Sequence, residues 1–214
     1  MQALAAQLSE MVKYRRGLKV LAVGLGNQNV TPDSLGPAAV SGIRITSHLF
    51  QLFGYDGDEE ISCVSALAPG VTASTGMETA ELIAKAAEVV QPDVVIAIDS
   101  LAARNIERVS TTIQLSDTGI APGAGMGNMR KELNEMTLGA KVIAIGVPTV
   151  IDSATVIMEA LEELEVEEKA VADYLAGRRF DMVVTSTDID LVIRSFSEII
   201  ANAVNITLHP GIYS

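Results

Sequence analysis

Residues 93–99 read DVVIAID, five consecutive apolar positions closed at each end by an aspartate. A strand with one wet face alternates apolar and polar residues, whereas a continuous apolar run of strand length requires cover on both faces, as in a parallel sheet. The same signal recurs in LKVLAVGL at 18–25 and KVIAIGV at 141–147, with further strand-length runs in ISCVSAL at 61–67, VSTTIQL at 109–115 and DMVVTS at 181–186. Helical patterns at 36–50, 75–91, 152–176 and 187–208 separate most of them. Strands alternating with helices imply right-handed crossovers. The expected fold is therefore α/β, a three-layer sandwich with a mostly parallel twisted sheet and helices on both faces. VSTTIQL alternates and follows its predecessor after a short polar connection, so it is expected to be an edge or antiparallel strand.

A chain of 214 residues, 49% of them hydrophobic, has enough material for one sizeable core, and 1–214 is read as a single domain. The net charge of −12 argues against a nucleic-acid backbone or an anionic membrane as partner. Cys63 is the sole cysteine, so no intrachain disulfide forms; its place in an apolar run reads as core filling in a reducing cytoplasm. The N-terminal MQALAAQLSEMVKYRRG places its basic residues after the apolar stretch, the reverse of a secretory signal. No segment is read as long enough to span a bilayer. The acidic run EALEELEVEEK at 159–169 carries apolar residues at helical spacing and reads as a solvated helix face.

Open α/β sheets collect ligands and catalytic groups beyond the carboxyl ends of their strands. After 18–25 comes GLGNQNVTPDSLGP, where Gly24, Gly26 and Asn27 permit a tight turn ahead of Asp33. After VVIAI comes Asp99, whose desolvation is costly without a partner or a shared proton. Two carboxylates on neighbouring strand ends can hold one proton between them, one acting as base toward water and the other as acid toward a carbonyl. Asp33 reads equally well as a helix cap or turn residue, and Asp99 as a cap of the following turn.

Other chemistries find less support. The Gly24–Gly26 spacing begins a dinucleotide fingerprint, but Asn29 stands where its third glycine belongs. His48 sits on an amphipathic helix and His209 in the C-terminal tail, neither with the partner spacing of a zinc site or a catalytic triad. A hard metal ion held by Asp33, Asp99 and Glu78 is the alternative use of the same carboxylates.

At these strand ends the wording becomes specific. GLGNQNVTPDSLGP (24–37), SALAPGVTASTGMET (65–79), PDVVIAIDSLAARNIERVSTTIQLSDTGIAPGAGMGN (92–128) and VIAIGVPTVID (142–152) closely resemble the germination protease family of spore-forming bacteria. MVVTSTDID (182–190) and ANAVNITLH (201–209) resemble its C-terminal end. The resemblance implies an atypical aspartic endopeptidase, without metal or other cofactor, that degrades small acid-soluble spore proteins in the spore core at germination. Its functional aspartates fall on Asp33 and Asp99. It further implies a propeptide-controlled zymogen, a homo-oligomer, and a fold similar to hydrogenase maturation proteases, whose acidic residues hold a metal. Family members carry additional sequence between the region of 151–156 and the C-terminal helix, which puts substrate contacts there in question. On this reading the backbone near Gly123, Gly125 and Gly127 offers N–H donors to a tetrahedral oxyanion, with Asn27 and Thr75 as orienting groups. The rival readings are a metal-dependent maturation-type peptidase and a noncatalytic spore-protein-binding homologue.

Overall fold

A computed structural model describes residues 1–54, 60–122, 131–162, 168–176 and 182–213. Its sheet contains β1 (Lys19–Gly24), β2 (Cys63–Leu67), β3 (Val94–Ala103), β4 (Gln114–Ser116), β5 (Lys141–Asp152) and β6 (Val183–Thr185). The order is β2-β1-β3-β5-β4, with β6 also on β5. β2, β1, β3 and β5 run parallel, while β4 and β6 pair antiparallel with β5. The continuous apolar runs thus became the central parallel strands, and the alternating segment became an antiparallel edge, shortened to Gln114–Ser116.

Side chains of one strand point alternately to two cores, which is why the stretches 20–23, 94–98 and 142–145 are apolar throughout. Val20, Ala22, Ile96, Ile98, Ile143 and Ile145 face α1 (Gln2–Val12), α2 (Leu35–Ser41) and α9 (Ile189–Leu208). Leu21, Val23, Val95, Ala97 and Val142 face α5 (Thr79–Val90) and the short α6 (Glu135–Leu138). Three layers result, as expected.

Several boundaries differ from the sequence reading. The pattern at 36–50 is two helices, α2 and α3 (Ser47–Phe53), and at the C-cap of α2 Gly42 meets α9 so closely that a Cβ there would lie 2.9 Å from Ala201 Cβ. Beyond the break Thr46 stitches the linker to β2, its hydroxyl donating to Ser62 O and accepting from Val64 N at 2.9 Å. The pattern at 75–91 begins with a separate turn, α4 (Thr72–Thr75), ended by Gly76 at φ 72°. The pattern at 152–176 is α7 (Ser153–Glu162) and α8 (Glu168–Ala176), with 163–167 outside the described residues. The N-terminal Gln2–Val12 is a helix that buries Ala5, Leu8 and Val12.

Three expectations are corrected. Cys63 is only half-buried, because β2 is the sheet edge and buries only Val64 of its five residues. His209 belongs to the folded body: it is fully buried, at the junction of α9 and α10 (Pro210–Tyr213). Ile189–Leu208 is long and apolar enough to cross a membrane by length and composition alone. Its apolar face packs instead on α1 and α2 in the core.

Candidate active site

β1 ends at Gly24, where its pairing with β3 stops at Ile98, and Leu25 N donates to Ile98 O at 2.8 Å. The chain then reverses at Gly26, whose φ of 109° and approach to Asp33 exclude a side chain: a Cβ would lie 2.1 Å from the Asp33 carbonyl oxygen. A single 3-10 turn over Thr31–Asp33 follows, with Pro32 near its start. Asp33 Oδ2 accepts from Asn27 N at 2.8 Å, which closes the loop. Thr149, wholly buried on β5, donates through Oγ1 to Pro32 O at 2.7 Å and ties the turn to the sheet.

The first turn of α2 rests directly on the strand ends. A Cβ on Gly36 would lie 2.2 Å from Leu25 O and 2.5 Å from Ile98 O. These approaches carry Asp33 over the end of β1 and the point on β3 where the pairing with β1 stops. Asp99 comes from β3 itself, opposite Gly146 of β5, is only 5% exposed, and accepts from Ser100 N at 2.9 Å through Oδ1. Both aspartates line one cavity of about 710 Å³, together with Gly26, Ser100, Arg104 and Arg108. Two carboxylates from separate elements opening into one partly enclosed cleft can divide base and acid roles toward a bound carbonyl.

The profile of the germination protease family matches residues 1–164 of this chain. The germination protease of Clostridium perfringens (strain SM101 / Type A) is 42% identical over 97% of this chain and 71% of its own length. The chain belongs to the germination protease family. The germination protease of Caldanaerobacter subterraneus subsp. tengcongensis is likewise 42% identical, over 99% of this chain and 72% of its own. That of Bacillus subtilis (strain 168) is 53% identical over 72% of this chain and 42% of its own. Among solved structures, a [NiFe] hydrogenase maturation protease, HycI from Thermococcus kodakarensis KOD1, aligns at 12% identity with a TM-score of 0.45, over 92% of this chain and 98% of that one.

In this chain neither aspartate serves as a helix cap. The cap position of α2 is Ser34, and Asp33 braces the Gly26–Asn27 turn, so the turn reading describes its structural part. Asp99 does not end its strand, since β3 continues to Ala103. Asn27 is spent locally, its Oδ1 accepting from Asn29 N at 3.0 Å, and it does not line the cavity. Thr75 is exposed, with its hydroxyl engaged by Val71 and Met77; the threonine that lines the cavity is Thr79, whose Oγ1 donates to Gly70 O at 3.2 Å. Gly123, Gly125 and Gly127 lie outside the described residues. Glu78 stands apart from the cavity lining, at the start of α5. Among the described residues no three His, Cys, Asp or Glu side chains gather as ion ligands, so Asp33, Asp99 and Glu78 do not form such a set. Sequence reasoning passed over Arg104, Arg108 and Thr149, which carry no local pattern that separates them from ordinary surface or strand residues.

The histidines stay out of the site. His48 is exposed on α3. His209 lies against Arg44 O, with Nε2 at 3.1 Å; because a carbonyl only accepts, Nε2 carries the proton, and the buried Nδ1 has no partner among the described residues. Burial holds this imidazole below the usual histidine range, against the opposing effect of its bond to the Arg44 carbonyl. A folded-state value below the unfolded one, about 6.5, means the neutral ring's contribution is complete above that pH and is lost as pH falls below it. Thermal melting should therefore drop between about pH 7.5 and about pH 5.5, and His209→Gln should flatten that slope. An equal slope in the variant would show that other groups set it.

Proposed function

We propose that this chain is an endopeptidase of small acid-soluble spore proteins, working in the spore core at germination through Asp33 and Asp99. The observation that carries this reading is the opening of both aspartates into one cavity, in a chain of the germination protease family. The pair shares a proton and holds one water. One carboxylate removes a proton as the water attacks the peptide carbonyl, and the other protonates the carbonyl oxygen. Collapse of the tetrahedral intermediate then passes a proton to the leaving nitrogen. The turn bonds at Asn27 and Ser100 fix the two carboxylates before substrate arrives, so little reorganisation is left for the reaction itself.

The test is incubation of the purified chain with a small acid-soluble spore protein, with and without a chelator, followed by mass determination of the products. Discrete fragments in equal yield in both arms are expected. Activity that vanishes with chelator and returns with a divalent ion would replace this mechanism by a metal-dependent one. Binding with no fragments would make the chain a noncatalytic homologue.

A further inference from the structure

β3 outruns β1. The last β1–β3 pair is Gly24 with Ile98, whereas β3 pairs with β5 as far as Ala103 with Ile151. Residues 99–103 thus have β5 on one side and, among the described residues, no strand on the other. Backbone polar groups point to alternate sides along a strand. Ile98 O faces β1, since it accepts from Leu25 N, so the backbone groups of Ser100 and Ala102 face the same, open side. The irregularity in this part of the sheet leaves that alternation intact, because the extra residue, Thr149, lies on β5: Leu101 pairs with Pro148 and Ala102 with Val150.

The amide of Ser100 is occupied by Asp99 Oδ1. Among the described residues no hydrogen bond outside the sheet pairing engages the Ser100 carbonyl or the Ala102 amide and carbonyl, no strand lies on their open side to pair with them, and the buried Ser100 Oγ lacks a partner. Ser100, Leu101, Ala102 and Ala103 all line the cavity that holds Asp33 and Asp99. An unpaired strand edge is a template for another extended chain. Unlike most edges, this one begins at a carboxylate of the candidate catalytic pair.

We propose that the segment of substrate to be cut binds as an added β-strand on this edge, its backbone hydrogen-bonded to Ser100 and Ala102. Docked there, a peptide carbonyl lies beside Asp99, within the cavity shared with Asp33. The inference rests on the peptidase reading above and adds how that peptidase holds its substrate: by main-chain pairing with an extended segment, whatever its side chains. Strand pairing uses the substrate's N–H groups at every second residue only.

The experiment uses a peptide spanning a cleavage site found in the spore-protein digest, N-methylated at one backbone position at a time. Two positions separated by one residue should each lose about tenfold or more in kcat/KM, while the position between them is nearly unaffected. Hydrogen exchange of the Ala102 amide in the Asp33→Asn chain should slow about tenfold or more when the unmodified peptide is added at saturation. Uniform sensitivity to N-methylation, or unchanged Ala102 exchange under saturating peptide, overturns the edge-pairing inference and leaves the peptidase standing. Failure to cut the unmodified spore protein overturns both.

Discussion

Asp33→Asn and Asp99→Asn are each expected to lower cleavage of a small acid-soluble spore protein by about 10³-fold, the scale of losing one positioned acid or base. The substitution keeps shape and an acceptor oxygen, so the bonds from Asn27 N to residue 33 and from Ser100 N to residue 99 can persist. Unfolding free energy should accordingly stay within about 1 kcal/mol of the parent. The double variant should be little worse than either single one, because groups that act as a unit are lost together. Rates measured at saturating spore protein, beside denaturant melts, decide the matter. Normal cleavage by either variant would remove that aspartate from the mechanism, and a matching collapse of stability would show a structural part only.

Gly36→Ala tests the scaffold rather than the chemistry. The added Cβ would lie 2.2 Å from Leu25 O and 2.5 Å from Ile98 O, both backbone atoms where the pairing of β1 with β3 stops. Neither can step aside as a flexible side-chain tip would. Overpacking of this kind costs about 1–3 kcal/mol or somewhat more. Relief requires α2 to lift off the strand ends, and Asp33 sits just ahead of that helix. Stability by urea titration and cleavage should therefore fall together, whereas Ser41→Ala, at an exposed position of the same helix, should change neither by much. Parent-like stability and cleavage in Gly36→Ala would mean that this close approach does not position the site.

Much of the fold could be read from local pattern, and the exceptions have particular causes. VLAV, VVIAI and VIAI announced the central strands because burial on both faces forbids polar residues anywhere along them. SLAA after Asp99 carries no such signal; it is extended because β5 runs equally far beside it. Between α2 and α3 the linker is tied to β2 by Thr46, through Ser62 and Val64 far away in sequence, and His209 is buried in its place against Arg44. Tertiary contacts of this sort override local propensity, which is worth only tenths of a kcal/mol per residue.

The candidate site divides in the same way. Asp33 and Asp99 stood out in the sequence because an acidic residue following an apolar strand is conspicuous, and strand ends are where α/β sheets hold their chemistry. That Asp33 braces a turn, that Asn27 and Thr75 serve local loops, and that Arg104 and Arg108 share the cavity are matters of packing. The sequence by itself determined the strand and helix types, the two-sided burial of the sheet and the acidic residue that closes the apolar run of β3, because each depends on residues close together along the chain. Only the tertiary structure decided that the two aspartates open into one cavity and that β3 leaves an unpaired edge beside them. Both depend on the strand order β2-β1-β3-β5 and on the unequal lengths of β1 and β3, which arise from contacts between residues distant in the chain.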